Sequence, residues 1–265
     1  HDQRIARASG NAQVDLATAS EVDTAVQLGD WSLNRDSSSY QAKARGPDFS
    51  FQLALRETQP LLLQGDQGWS RKGPEAHQAS YYYSLPQLTA SGQLNVGGQT
   101  LAVQGQAWLD HEWSQSLMHP DAVGWDWIGM NLLDGSALTA FRLRTKAGAA
   151  LWAGGSIRPA GSSSAEIFDP YDVTFTPRRL WKSPASGTSY PVDWSVQIKR
   201  SKPNASAPVM ERYTIKAVID NQELDSRQST GAIYWEGLSE LLDSQGIVVG
   251  RGYLEMTGYA SPLRL

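Results

Sequence analysis

Short runs in which apolar and polar side chains alternate dominate this sequence, and turn residues interrupt them. In the run 49–55 every second side chain is a large apolar one. The runs 194–199 and 213–219 alternate in the same way. An alternation of period two places one face of a β-strand against a core. The pattern therefore predicts an all-β fold made of many short strands.

The turn residues support antiparallel pairing of these strands. Asp134-Gly135 separates the apolar runs 125–133 and 137–145, which is typical of a β-hairpin. The 24 Gly and 13 Pro residues argue against long helices, and only 237–243 has a pattern compatible with a short one. Many short strands at a spacing of roughly 8–12 residues indicate a sandwich or a barrel.

A change of composition divides the chain. Residues 158–170 are rich in Ser, Gly and Pro, as in a linker or a long loop. We therefore place a domain boundary near residue 168. The prediction is a first domain over 1–167 and a second domain over 168–265.

Composition excludes several kinds of partner. The net charge is −4, and no Lys/Arg cluster exceeds two neighbours, so we expect no nucleic-acid partner. No apolar run approaches the roughly 18 residues that a membrane-spanning helix needs. The chain has no Cys, which removes disulfides, thiolate metal ligands and a cysteine nucleophile.

Acidic and aromatic residues concentrate in the stretch 105–114. In a strand, Trp108, Asp110 and Glu112 would share one face. His111 and Trp113 would share the opposite face, so the two sets cannot line one cavity unless a bulge intervenes.

A second concentration follows at 124–127. There Trp125 and Trp127 would lie on one face of a strand, opposite Asp126. Both stretches together hold three carboxylates, one imidazole and four indoles. Trp and Tyr combine apolar bulk with a polar tip, which suits the walls of a ligand site as well as the packing of a sheet.

These residue types can perform acid–base chemistry. Burial beside apolar rings raises the pKa of a carboxyl group, and an adjacent imidazole can orient it or position water. We therefore take Asp110, His111 and Glu112 as candidate catalytic residues, with indole faces that stabilise a developing cation. The competing interpretation is structural: Asp110 and Glu112 would pair with Arg142 and Arg144, and the His and Trp residues would pack in the core.

Other chemistries find less support in the sequence. The chain has neither a Gly-x-Ser-x-Gly nucleophile elbow nor a Gly-x-x-x-x-Gly-Lys phosphate loop. His77, His111 and His119 lack the spacing of a zinc-ligand pair. We therefore predict no metal and no cofactor.

The same two stretches resemble a known family. Ala107-Trp108-Leu109-Asp110-His111-Glu112-Trp113, followed by Gly124-Trp125-Asp126-Trp127, resembles the bacterial AttH-like "predicted secreted hydrolases", relatives of carotenoid 1,2-hydratase (hydroxyneurosporene synthase). Further segments agree nearly end to end, among them Tyr81-Tyr82-Tyr83-Ser84, Tyr234-Trp235-Glu236-Gly237 and Gly252-Tyr253-Leu254-Glu255-Met256.

The resemblance implies two tandem lipocalin-like antiparallel β-barrels and an apolar ligand site. It also implies a periplasmic or secreted location in a bacterium, often beside an ABC-type transporter. The candidate ligand-binding residues under this resemblance are Trp108, Trp113, Trp125, Asp126, Trp127 and Tyr82. The hydratase branch of the family adds water to a terminal trisubstituted double bond of a polyene.

The chain departs from the family pattern at two points. Its start at His1–Arg7 resembles the middle of the first domain, so we expect the opening strands of the first barrel to come from a missing N-terminal segment or a second chain. The strand 139–144 also lacks the Tyr and the carboxylate that the hydratase branch carries there. Hydration of a carotenoid itself is therefore not the expected reaction.

Three functions remain open from the sequence. The first is a hydratase-type lyase that acts on an isoprenoid alkene by general acid catalysis. The second is a non-catalytic exported carrier of a lipid or another hydrophobic small molecule, accessory to an ABC transporter. The third is a secreted hydrolase in which Asp or Glu activates water.

Overall fold

The computed structural model describes residues 17–115, 118–201, 206–228 and 230–263. These residues form β-strands, turns and loops and contain no helix, so the predicted all-β fold is confirmed. In particular, this described part of the chain has no helix of the length and apolarity required to cross a membrane. Residues 1–7, on which the expectation about a missing segment depends, lie outside the described residues.

The strands pair in an antiparallel manner throughout. In chain order they are β1 (Ala17–Ala19), β2 (Ala25–Leu28), β3 (Trp31–Asp36), β4 (Ser39–Arg45), β5 (Phe49–Arg56), β6 (Leu62–Leu63), β7 (Trp69–Arg71), β8 (Ala79–Val96), β9 (Gln99–Trp113), β10 (Ala122–Leu132), β11 (Ala137–Thr145), β12 (Ala150–Arg158), β13 (Glu166–Phe168), β14 (Val173–Lys182), β15 (Ser189–Arg200), β16 (Val209–Ala217), β17 (Glu223–Asp225), β18 (Ile233–Leu242) and β19 (Val248–Met256).

The chain folds into two compact units that are discontinuous in sequence. The smaller unit contains the described residues up to Pro60 together with Leu85–Leu109. Its strands β1 to β5 form a meander, in which β5 pairs with the second half of β8 and β8 pairs with β9. A small apolar core of Tyr40, Leu85 and Leu88 stabilises it.

The larger unit contains Leu61–Ser84 and the described residues from Asp110 onward. Its main sheet has the strand order β13-β12-β11-β10-β19-β18-β16-β15-β14, with β17 paired to β18. The short strands β6 and β7 pair with the first residues of β8. Fully buried side chains such as Trp194, Trp235 and Ile128 form the core on one face of the sheet.

The sheet contains the predicted hairpin but not the predicted short helix. The hairpin at Asp134-Gly135 is confirmed: β10 and β11 pair up to Asn131 and Ala137, and Gly135 has a φ of 91°. The short helix predicted over 237–243 is wrong, because 237–242 belong to β18 and pair with β16 and β19. There tertiary pairing overrides a weak local preference.

The predicted domain boundary near residue 168 falls at the end of β13, inside the larger unit. Strands on both sides of this point join one ten-stranded sheet, since β10 pairs with β19. The division of the chain into 1–167 and 168–265 stays a prediction. The compact units observed in the structure are divided within β8 and β9 instead.

Candidate functional site

A cavity of about 130 Å³ lies within the larger unit and gathers acidic and aromatic side chains. Its walls come from β9, β10, β11 and β19 and from the segment before and within β8. The lining residues are Lys72, Tyr82, Asp110, Glu112, Met118, Trp125, Trp127, Phe141, Leu143 and Glu255. Five of the residues proposed from the sequence are therefore brought together: Tyr82, Asp110, Glu112, Trp125 and Trp127.

The alternation of β9 decides which of its motif residues reach this cavity. Asp110 and Glu112 line it, whereas His111 and Trp113 lie on the opposite face of the strand. His111 Nδ1 is 3.0 Å from the Tyr83 hydroxyl, and Trp113 stacks on Tyr81 with ring centroids 5.5 Å apart. The chain thus places His111 and Trp113 in an exposed aromatic cluster; their functional roles stay predictions.

Glu112 has a cationic partner at the cavity wall. Lys72 Nζ lies 2.9 Å from Glu112 Oε1, and the Ser80 hydroxyl donates a hydrogen bond to the same oxygen. The Lys72 ammonium also lies 4.8 Å from the Tyr82 ring centroid and 4.4 Å from that of Phe141. Since the cation is buried, the ion pair and the two ring faces together offset the loss of water around it.

Two hydroxyl groups orient the carboxylate of Asp110. The Ser84 hydroxyl donates to Asp110 Oδ1 at 2.5 Å, and the Tyr82 hydroxyl also hydrogen-bonds this carboxylate. Burial, followed by the negative charges of Asp110 and Glu112, raises the pKa of Tyr82 well above its usual value. Tyr82 therefore stays protonated and remains a hydrogen-bond donor.

A buried network of hydrogen bonds holds the Ser84 hydroxyl in position beside Asp110. Gln64 Nε2 donates to Ser84 Oγ at 3.0 Å, and the Ser156 hydroxyl donates to Gln64 Oε1 at 2.8 Å. Thr139 Oγ1 lies 3.0 Å from Ser156 Oγ. All four side chains of this network are buried, so the network holds the Asp110 carboxylate in one orientation.

Glu255 differs from both of the other carboxyl groups in the cavity. It lies on β19, directly opposite Trp127 on β10 and Glu236 on β18. Its limited accessible surface lines the cavity, and no Lys, Arg or His of the described residues forms an ion pair with it.

The surroundings of Glu255 favour its neutral form. Burial raises its pKa to about 8, and the negative charge of Glu236 adds to this effect, whereas a hydrogen bond from Trp125 partly opposes it. At neutral pH the side chain therefore carries a proton. It is a carboxylic acid in a cavity that the indole rings of Trp125 and Trp127 also line.

Sequence reasoning did not single out Glu255, and the reason is physical. Leu254 and Met256 on either side of it are fully buried in the core, so alternation assigns Glu255 to the face that normally meets solvent. In the structure that face is covered by the cavity walls. The sequence offered one signal that could have pointed to Glu255: a second glutamate, Glu236, occurs in the run that forms the neighbouring strand.

Asp126, proposed as a ligand residue, lies in a different environment. It is fully buried on the other face of β10 from Trp125 and Trp127, and its carboxylate is 2.7 Å from Arg142 Nε and 3.1 Å from Arg144 Nε. The alternative pairing of these arginines with Asp110 and Glu112 is therefore wrong. Asp126 is the carboxylate that they bind.

Trp108 completes the set of proposed residues. It belongs to the smaller unit, and its indole Nε1 is buried without a hydrogen-bond partner among the described residues. It does not line the acidic cavity as the structure describes it. Its predicted role in ligand binding stays a prediction.

The fold and this cavity define the chain as a lipocalin-like β protein with an acidic site between Trp rings. More particularly, the chain belongs to the AttH-like family, whose model matches residues 1–259. The family that its motifs resemble is thereby confirmed. No curated protein sequence is significantly similar to the chain.

Solved structures support the same assignment. A protein assigned as AttH from Nitrosomonas europaea is 43% identical, with a TM-score of 0.84 over 94% of this chain and 75% of its own. Kievitone hydratase from Nectria haematococca is 18% identical, with a TM-score of 0.68 over 89% of this chain and 70% of its own. CghA is 13% identical, with a TM-score of 0.54 over 93% of this chain and 73% of its own. At these lower identities the last two show a shared fold.

Proposed function

We propose that this protein is a hydratase-type lyase that adds water to an alkene, with Glu255 as the general acid. The observation that carries the proposal is a carboxyl group that forms no ion pair with any described cation and that lines a cavity together with two indole rings and two further carboxyl groups. A hydratase among the proteins of similar fold supports the same reaction class. General acid catalysis needs a proton donor that is still protonated near neutral pH.

In the proposed reaction each proton has a donor and an acceptor. The O–H bond of Glu255 breaks as a C–H bond forms at the less substituted alkene carbon, and the positive charge develops on the other carbon. The indole rings of Trp125 and Trp127, which line the cavity, stabilise that charge. Water then attacks the cation, a C–O bond forms, and the proton lost by the water passes to the Asp110 carboxylate, which lines the same cavity.

The three carboxyl groups of the cavity differ in their partners. Lys72 forms an ion pair with Glu112, and the hydroxyl groups of Tyr82 and Ser84 donate to Asp110. No Lys, Arg or His in the described part of the chain forms an ion pair with Glu255, and burial raises its pKa to about 8, so that it retains its proton at neutral pH. One acid and one base therefore face the same small cavity, which general acid–base catalysis requires.

The test is turnover of isoprenoid alkenes in D₂O, with deuterium at carbon and the mass of added water as readouts. We expect Glu255→Gln to lower turnover about a hundredfold or more, the size typical of a lost general acid. Binding is followed separately by the intrinsic Trp fluorescence of the protein, and Glu240→Gln, at a residue of β18 paired with Arg251, is the matched control. Unchanged turnover in Glu255→Gln would exclude this acid.

A carrier function is the second candidate, because Lys72 and Ser80 satisfy Glu112 as a structural ion pair would. A carrier predicts ligand binding with no product from any alkene in the same assay. Mass spectrometry of apolar molecules extracted from the purified protein then identifies its cargo. Deuterium incorporation into a bound alkene would contradict the carrier function.

A further inference from the structure

The larger unit has a second cavity, and the proposed reaction does not use most of its wall. The volume of this cavity is about 370 Å³, within the roughly 300–1,000 Å³ that sites for small organic molecules span. Tyr82, Trp127 and Phe141 line it as well as the acidic cavity. The rest of its wall combines aromatic and polar side chains. Among these are Trp69, Trp152 and Phe168 and, on the polar side, Asp66, Ser70, Arg71 and Asp169.

Two parts of this wall combine an aromatic residue with a carboxylate that is close in the chain. In the turn before β7, Asp66 N donates to Trp69 O at 3.1 Å, and Trp69 N donates to Asp66 O at 2.8 Å. At the end of β13, Asp169 directly follows Phe168. The cavity is therefore lined twice by a ring together with a negative charge.

The rest of the chain does not neutralise these carboxylates. Within the residues that the structure describes, the side chains of Asp66 and Asp169 form no ion pair and no hydrogen bond. Ser70 lines the same cavity and is only 4% exposed, and its hydroxyl has no hydrogen-bond partner among those residues either. Since nearly all buried polar groups in proteins have a partner, this hydroxyl points to a ligand that hydrogen-bonds at the wall.

Arg71 is the one Lys, Arg or His among the described residues that line the second cavity. Its Nε and Nη2 donate to the Gly73 carbonyl at 3.2 and 3.0 Å, and Nη2 also donates to the Pro74 carbonyl. Its guanidinium lies 5.0 Å from the Trp152 ring centroid. An anionic ligand would compete with these carbonyl oxygens for the guanidinium and would meet two carboxylates. The wall therefore attracts a positive charge more strongly than a negative one.

We propose that the second cavity binds an organic ammonium ion with an apolar body. Asp66 and Asp169 hold the ammonium group, and Trp69 and Phe168 contact the apolar part. No described Lys or Arg lies over either of these two rings, so both can interact with a ligand cation. A neutral sugar would satisfy the hydrogen bonds but would gain nothing from the charges. The inference does not depend on the reaction proposed for the acidic cavity.

The first test is isothermal titration calorimetry with phenethylamine, phenethyl alcohol and phenylacetate, which share an aromatic body and carry a positive, a neutral and a negative head. We expect the amine to bind about tenfold more tightly than the alcohol, and phenylacetate to bind most weakly. Raising sodium chloride from about 20 to about 500 mM should weaken the amine and leave the alcohol unaffected, because salt screens charge. Methyl glucoside serves as the neutral, polyhydroxylated alternative.

Aspartate variants locate the ammonium group. Asp66→Asn and Asp169→Asn each remove a charge but keep the shape of the side chain, so each should weaken the amine about threefold or more and leave the alcohol unchanged. Asp30→Asn, in the exposed turn between β2 and β3, removes a charge elsewhere and should change nothing. Asp110→Asn reports on the acidic cavity and should alter the affinity for the amine by less than about twofold.

A second pair of variants tests the ring. Trp69→Leu should weaken the amine about threefold or more, whereas Trp69→Phe retains a ring face and should keep most of the affinity. Trp31→Leu removes an indole of the smaller unit, one that donates to the Arg45 carbonyl at 2.7 Å, and should leave the affinity unchanged. Thermal denaturation shows whether each variant is folded at the temperature of the titration.

Several results would overturn the ammonium site. They are equal affinity for the amine and the alcohol, tighter binding of phenylacetate or of methyl glucoside, and a larger effect of Asp110→Asn than of Asp66→Asn and Asp169→Asn. Failure of the unmodified protein to bind the amine would overturn it as well. None of these titrations involves an alkene, so their outcome leaves the hydratase proposal to its own test.

Discussion

Two carboxyl groups lie on adjacent strands of the same sheet but have opposite electrostatic surroundings. Asp126 on β10 and Glu255 on β19 belong to opposite faces, since Asp126 pairs with Met256 and Glu255 with Trp127. Asp126 is bound by two arginines and accepts a hydrogen bond from the Tyr259 hydroxyl at 2.8 Å. Glu255 has a neutral donor, Trp125, and a second carboxyl group beside it.

This difference separates a buried carboxyl group that stabilises the fold from one that can transfer a proton. An ion-paired carboxylate surrounded by donors is fixed in charge and position, and its removal leaves buried cations uncompensated. A carboxyl group without a cation stays neutral and lowers stability when it is forced to ionise. A protein tolerates that cost chiefly where a proton has to be transferred.

Removal of the Asp126 charge should have the largest effect on stability. Asp126→Asn keeps the shape of the side chain but leaves Arg142 and Arg144 buried without their shared counterion. We expect the free energy of unfolding to fall by about 3–5 kcal/mol, the range for one broken partner of a buried pair. Urea denaturation measures it, and a loss below about 1 kcal/mol would show that the network is not structural.

On the other face of the sheet, Glu255 should make the stability of the protein depend on pH. Because the folded pKa of Glu255 is about 8 and its ordinary value is 4.5, the folded state keeps a proton that the unfolded chain releases. Stability should therefore fall as pH rises from about 4.5 to about 8, with a contribution approaching 1.4 kcal/mol per pH unit. Above that window the contribution is constant.

Glu255→Gln isolates this contribution, because glutamine cannot ionise. Urea denaturation at several pH values should show that the variant loses less stability than the unmodified protein between pH 5 and 8. The variant should also be the more stable of the two at pH 8. Parallel pH profiles for both proteins would mean that Glu255 is ionised in the fold like an ordinary surface glutamate.

The two carboxyl groups also show which features of the fold and the site can be predicted from the sequence. Alternation and turn residues predicted the all-β fold and the β10–β11 hairpin, because both depend on local pattern. The pairing of β10 with β19 joins residues about 125 positions apart, and no local pattern specifies it. Glu255 enters the site only through that pairing, so the site could be predicted from β9 and β10 but not completed.

Glu236 should account for part of the unusual state of Glu255. The two glutamates are cross-strand neighbours, and like charges directly opposite each other are unfavourable. Asp110 and Glu112 face Glu255 from β9, and Tyr253 hydrogen-bonds Glu236 from β19 itself. Among these charges, that of Glu236 has the largest effect on the pKa of Glu255. Glu236→Gln removes it and should lower the pKa of Glu255 by about one unit.

Carbon-13 NMR titration of the glutamate side chains measures this shift without a substrate, with Glu255→Gln to assign the signal. Glu236→Asp retains the charge and should keep the pKa of Glu255 raised. Glu240→Gln removes a charge from the same strand, at a residue paired with Arg251, and should leave the titration unchanged. An unaltered Glu255 pKa in Glu236→Gln would assign the shift to burial alone.

The smallest effects are expected for substitutions on the outer face of β9, away from the cavity. His111 and Trp113 lie in an exposed aromatic cluster rather than at the cavity, although they adjoin Asp110 and Glu112 in sequence. His111→Ala should change alkene turnover by less than about threefold and the free energy of unfolding by about 0.5 kcal/mol or less. Asp110→Asn, one residue away but inside the cavity, should lower turnover about a hundredfold, because it removes the proposed base. If His111→Ala instead abolished turnover with its stability intact, the imidazole would take part in the reaction, and the division of roles by strand face would be wrong.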